Sequence, residues 1–171
     1  MGHFPSSARG THDLLMAPVP AHATTILLAT DLSASAGPAT EEALRLASRL
    51  GAGLLIMSAI DPGTMRLPNG WFRRRVDQER ELREAAARPL VERGRAAGVS
   101  VSLLVWEGDP GESIVEVARA ESPEMVIVGS RAKGVMGRFG IGSVSDHVVR
   151  HAPCPVLVVR GDTGPTPDEA G

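Results

Sequence analysis

The residues best suited to chemistry in this 171-residue chain run from 129 to 143: Gly129-Ser130-Arg131-Ala132-Lys133-Gly134-Val135-Met136-Gly137-Arg138-Phe139-Gly140-Ile141-Gly142-Ser143. Glycine lets peptide N–H groups approach an oxyanion with no Cβ in the way. Three cations stand among the glycines, and a helical pattern starts at Ser143. A helix N-terminus adds unpaired N–H groups and the positive end of a dipole. Together these suit a phosphate-bearing ligand; the alternative is a surface loop without one. Lys133 is the chain's single lysine and would act as a point cation. Ser143 either caps its helix with Asp146 or gives its hydroxyl to a phosphate.

A second candidate lies near the start, in Ala29-Thr30-Asp31-Leu32-Ser33, directly after an apolar run. A carboxylate there can accept hydrogen bonds from ribose hydroxyls. Equally, Asp31 or Ser33 can cap the helix that follows.

Other groups carry less. His147 and His151 have the four-residue spacing of a shared metal face, but no third ligand is near in sequence and they read as structural or exposed. Cys154 sits between Pro153 and Pro155, which reads as a packed turn rather than a reactive thiol. Ser143 lacks the G-x-S-x-G elbow of a hydrolase. The chain contains neither a P-loop nor a strand-linked G-x-G-x-x-G.

These residues must be held by regular elements. Short apolar runs at 24–29, 54–60, 99–105, 125–128 and 156–159 alternate with helix-length segments. Helices are expected from Gly37 to Leu50, from Trp71 to Ala97, from Pro110 to Ala120 and from Ser143 to His151. Gly51 is placed as a left-handed C-cap. Asp109-Pro110-Gly111-Glu112 supplies an N-cap, Pro at the first helical position and Glu at the third. Pro89 should kink or divide the second helix. Strands that are apolar throughout are covered on both faces. The pattern therefore predicts an α/β fold, a doubly wound five-stranded parallel sheet with helices on both faces. Ligands in such sheets bind beyond the carboxyl ends of the strands, where the strand order reverses.

Composition narrows the function. Hydrophobic residues make up 43%, enough for one core, while aromatics make up only 3% with no tyrosine. A base-stacking single-strand binder is thereby disfavoured. The net charge of -2 offers no basic excess for nucleic acid. Arg73, Arg74 and Arg75 read as a solvated helix start. One cysteine allows no intrachain disulfide, and no apolar run approaches signal-peptide or membrane-span length. A cytoplasmic chain without a membrane partner is expected. Residues 1–22 and 161–171 read as irregular tails around a domain at 23–160.

At the Gly-rich loop the sequence resembles the universal stress protein family. ATP-binding members carry Gly, two residues, Gly, nine residues, then Gly-Ser or Gly-Thr. Gly129, position 132 and Gly142-Ser143 fall at those spacings. The stretches 142–146 and 150–159 are similar to the family's last helix and strand. Ile26 to Ser33 resembles its first strand with its Asp, and Gly108-Asp109-Pro110 its turn after the third strand.

The resemblance implies a Rossmann-like strand order of 3-2-1-4-5, with Asp31 and the Gly-rich loop facing one crevice. It implies a stress-response regulator that binds ATP, with Mg²⁺, and is not a committed enzyme. Asp31 would contact ribose, while Ala29, Thr30 and Ala59 would line the adenine pocket. The loop glycines and Gly142-Ser143-Val144 would hold phosphates, and Val128, Gly129, Ser130, Arg131, Ala132 and Lys133 would belong to the same cofactor-binding site. The last strand, Val156, Leu157, Val158 and Val159, would pair across a two-fold axis in a homodimer. One residue departs from the pattern: the second motif glycine is Ala132. If phosphate touches that Cα, the methyl group blocks it. The alternatives are a non-nucleotide interaction protein of the same fold, or a slow ATPase or nucleotidyl transferase. The segment from Asp61 to Gly70 reads as a lid or a plain loop.

Overall fold

The structure is a computed structural model that describes residues 24–64, 72–130 and 142–161, and the backbone of 14–15. Its strands are β1 (Leu14–Leu15), β2 (Thr25–Ala29), β3 (Gly53–Ile60), β4 (Val101–Glu107), β5 (Met125–Ser130) and β6 (Val156–Arg160). Its helices are α1 (Gly37–Leu50), α2 (Phe72–Ala96), α3 (Pro110–Glu121) and α4 (Ser143–His151).

One sheet runs in the order β1-β4-β3-β2-β5-β6. The five strands β2 to β6 are parallel. Numbered among themselves they give 3-2-1-4-5, as the family resemblance implies. The sixth strand is an addition: Leu14–Leu15, within the stretch read as an irregular tail, pairs antiparallel with β4. Two residues carry no readable period, and only the unpaired edge of β4 calls them into a ladder.

Strand alternation explains why the apolar runs are continuous. Ile26, Leu28, Ile56, Ile60, Leu103, Val105 and Ile127 pack with Ala43, Ala47, Leu90 and Val91, beneath α1 and α2. Leu27, Ala29, Met57, Trp106, Val126 and Val128 pack with Ile114, Val117 and Val148, beneath α3 and α4. Each face has its own core, so neither parity can be polar.

The helix ends obey their signals. Gly51 closes α1 at φ 63°, ψ 28°, where an L side chain would be strained. The Asp109 side chain accepts from the Glu112 N–H at 3.0 Å and opens α3. Pro89 does not divide α2, which runs unbroken from Phe72 to Ala96. Buried anchors on both sides of the proline, Val76 before it and Leu90 and Val91 after it, hold the helix to the sheet. Tertiary packing overrides the lost backbone bond.

Candidate functional site

β2 and β5 are neighbours, paired from Ile26↔Met125 to Ala29↔Val128. From this pair the chain winds outward in both directions, so a crevice opens beyond their carboxyl ends. A cleft of about 270 Å³ lies there. It is lined by Ala29, Thr30, Asp31, Ala59, Val128, Gly129, Ser130, Gly142, Ser143 and Val144, all expected from the sequence. Arg131, Ala132 and Lys133 lie outside the described residues, as does most of 61–70.

The floor of the cleft is apolar for a geometric reason. Ala29, Met57, Ala59 and Val128 share one strand parity, the α3–α4 face, and Ile114 of α3 closes the same side. The rim is polar, with Thr30, Asp31, Ser130 and the start of α4.

The loop after β2 is tightly built. The Thr30 N–H donates to the Met57 carbonyl at 3.0 Å, continuing the ladder by one residue. The Thr30 Oγ1 accepts from the Leu32 N–H at 3.0 Å. Leu32 is turned to φ 59°, a region costly for a branched residue. An Asp31 carboxylate oxygen accepts from the Ser33 N–H at 3.1 Å and from the Ser33 hydroxyl at 2.7 Å. Ser33 is the N-cap residue of a 3-10 turn, Ala34–Ala36, that leads into α1, but without a side-chain bond, and the N-cap of α1 is Ala36, so Asp31 caps neither. The capping alternative for Asp31 therefore falls, and its carboxylate stands at the cleft.

Across the crevice, α4 begins at Gly142, which caps it without a side-chain bond. Ser143 is the first helical residue rather than the cap, because the extended Gly142 (φ -59°, ψ 155°) precedes it. The Ser145 hydroxyl donates to the Gly129 carbonyl at 2.9 Å and ties the helix start to the end of β5. Peptide N–H groups of the first turn of α4 thus sit beside the Gly129-Ser130 strand end.

Six further residues line the cleft: Ser35, Ala36, Met57, Pro110, Ile114 and Ser145. Met57 was findable, since it shares the parity of Ala59 and pairs with Ala29. Pro110 and Ile114 follow the Asp109 cap on α3 and reach the cleft only through the way α3 packs on the sheet, so sequence alone does not bring them here.

The weaker candidates sit elsewhere. The rings of His147 and His151 stack with centroids 4.3 Å apart, and His151 Nδ1 lies 2.8 Å from the His147 carbonyl oxygen. His147 also packs on Gly111, where an added Cβ would meet its ring at 3.0 Å. No group of three metal-ligating side chains occurs among the described residues. Burial pushes the Cys154 thiol up, away from reactivity. No described helix is long and apolar enough to cross a membrane.

An apolar floor for a flat base, a carboxylate for hydroxyls and a helix start for an anion are the donor set that a nucleotide fits. The fold and site therefore define a doubly wound α/β protein with a ligand cleft at its topological switch point. More narrowly, the chain belongs to the Universal stress protein family, which it matches over residues 22–160. A Thermus aquaticus relative, "Universal stress protein in QAH/OAS sulfhydrylase 3'region", is 37% identical over 141 residues, covering 80% of this chain and 98% of the relative. The solved universal stress protein UspA from Lactobacillus plantarum is similar at TM-score 0.72 and 26% identity, over 80% of this chain and 97% of that one. A universal stress protein solved in complex with cAMP is similar at TM-score 0.62 and 25% identity, over 82% and 98%.

Proposed function

We propose that this protein is an adenine-nucleotide-binding, cytoplasmic stress-response regulator that holds ATP in the β2–β5 cleft. The single observation that carries this is the convergence of Asp31, the apolar floor and the start of α4 on one crevice. The related protein bound to cAMP supports an adenine nucleotide as the class of ligand.

In this reading the adenine lies on Ala29, Ala59 and Val128. Asp31 accepts from the ribose hydroxyls. The N–H groups at Ser143 and Val144 and the end of β5 take phosphate oxygens. Arg131 and Lys133 add charge to the same end. Mg²⁺ would ride on the phosphates, a mode that needs few protein ligands. Hydrolysis, if present, is slow. Protomers pair through β6, whose Val156, Leu157, Val158 and Val159 form a half-buried sheet edge.

Ala132 favours a second reading, in which its methyl group closes the phosphate end and the same fold serves only as an interaction surface. One experiment separates them. Protein purified without added nucleotide is denatured and its small molecules identified by mass spectrometry, then stripped protein is titrated with Mg·ATP. A saturable isotherm is expected. In Asp31→Ala it should weaken by roughly 10-fold or more, the worth of hydrogen bonds to a charged acceptor. No released nucleotide and no heat would leave the interaction protein. Light scattering on the same sample should give twice the 17.9 kDa chain mass.

A further inference from the structure

The loop that presents Asp31 is fastened from behind. Arg83, at mid-length in α2, donates through Nη1 to the Asp31 carbonyl oxygen at 3.2 Å and to the Ser58 hydroxyl at 2.8 Å. Ser58 is fully buried. By strand parity it belongs with Ile56 and Ile60, on the α1–α2 side of the sheet. The cleft lies on the other side, with Met57 and Ala59. A single guanidinium therefore reaches the site loop from the face opposite the ligand.

Three observations mark this contact as more than packing. Arg83 spans 52 residues of sequence to a peptide carbonyl rather than meeting a carboxylate among the described residues. Its Nε is buried without a hydrogen-bond acceptor among the described residues. A lysine or methionine would cross the same apolar layer without stranding that donor, so the arrangement favours what Nη1 holds over local satisfaction. The carbonyl it holds belongs to the Asp31–Leu32 peptide, and Leu32 is the residue turned to φ 59°. Rotation of that peptide would carry away the Ser33 N–H and hydroxyl, the two donors that hold the Asp31 carboxylate at the rim.

We infer that Arg83 is a positioning residue for ribose recognition: by fixing the Asp31 carbonyl from the α2 side, it holds the Asp31 carboxylate where ribose hydroxyls arrive. The inference rests on the proposed nucleotide site. Ser58 is the second anchor, keeping the guanidinium at the right height. Arg83 touches no ligand, so its effect runs through Asp31 alone.

The test is a double-mutant cycle read with two ligands, ATP and 2′,3′-dideoxy-ATP, by titration calorimetry, with thermal melts of unliganded protein beside it. Arg83→Gln should weaken ATP about 10-fold, the scale of one charge-assisted hydrogen bond, and leave dideoxy-ATP nearly unchanged. In an Asp31→Ala background Arg83→Gln should add almost nothing. Arg83→Lys should recover part of the loss. Ser58→Ala gives a milder perturbation should Arg83→Gln fail to fold, and it should show the same selectivity for the hydroxylated ligand. Equal weakening of both nucleotides, or additivity with Asp31→Ala, would make Arg83 a structural residue and overturn the inference. Wild-type affinity in both variants would overturn it and leave the nucleotide reading intact. Failure of wild-type protein to bind either nucleotide would remove both.

Discussion

Gly129 enters the cleft through its backbone. Its carbonyl receives the Ser145 hydroxyl, and an added Cβ would meet only the Ala39 Cβ, at an ordinary 3.7 Å. Packing therefore does not require glycine there. Gly129→Ala should keep unfolding free energy within about 0.5 kcal/mol of wild type by urea denaturation. Any change in nucleotide affinity would then report on the ligand directly, without a folding term. The same logic shows what single residues disclosed in advance. Asp31 and Gly129 were legible because each lies within two residues of the end of an apolar run, and strand ends at a switch point are where ligands sit. The Arg83 contact was not. It joins residues far apart in sequence, and nothing in an Arg-rich helix marks which arginine turns inward.

Among the elements, α2 falls within one residue of its expected bounds at each end, and its unbroken course through Pro89 shows most clearly how packing outranks propensity. Gly94 lies in this helix and is buried, with a built Cβ falling 2.2 Å from Val101 Cγ2 of β4. Alanine at this position has two opposed effects. It gains about 1 kcal/mol of helix propensity. It also overpacks the helix–sheet contact, which costs about 1–3 kcal/mol. The clash should win, since the contact is with a stiff β-branched side chain in the β3–β4 ladder rather than a flexible tip. Gly94→Ala is expected to lower the urea midpoint, and to do so less in a Val101→Ala background, a coupling of about 0.5–3 kcal/mol between touching residues. Equal cost in both backgrounds would show that helix and strand lie further apart. The helices with caps, α1 and α3, were legible because their ends are local chemistry. Pro89 misled for the opposite reason: its local penalty is real, but the anchors that outweigh it belong to the sheet.

At the scale of the whole molecule, strand order came from the family resemblance, because a βαβ pattern alone fits several orders, and the two-residue β1 had no signal at all. Charge makes a further prediction here. Three carboxyls among the described residues are held low. The Arg93 hydrogen bond holds Glu41 below its ordinary 4.5, Arg45 does the same for Glu42, and Arg150 holds Asp146 below 3.8. A carboxyl with a depressed folded pKa contributes stability above its unfolded value, and that contribution is lost as pH falls through the folded one. Acid weakening should therefore begin near pH 4.5 and shrink in high salt, since these pairs are exposed. Cys154 acts at the other end. Burial raises its thiol above the ordinary 9.0, so the folded state binds the proton more tightly than the unfolded chain. Its contribution is complete below pH 9.0 and is lost as pH rises through the folded value. The chain has no tyrosine and a single lysine, which leaves this alkaline range nearly clear of other side chains. Urea midpoints across pH should thus form a plateau with a salt-sensitive acid arm and a small alkaline arm. Cys154→Ala should flatten the alkaline arm alone. An alkaline arm that survives this substitution would place its origin outside the α4–β6 turn, whereas its loss would tie the last strand's packing to the protonation of one thiol.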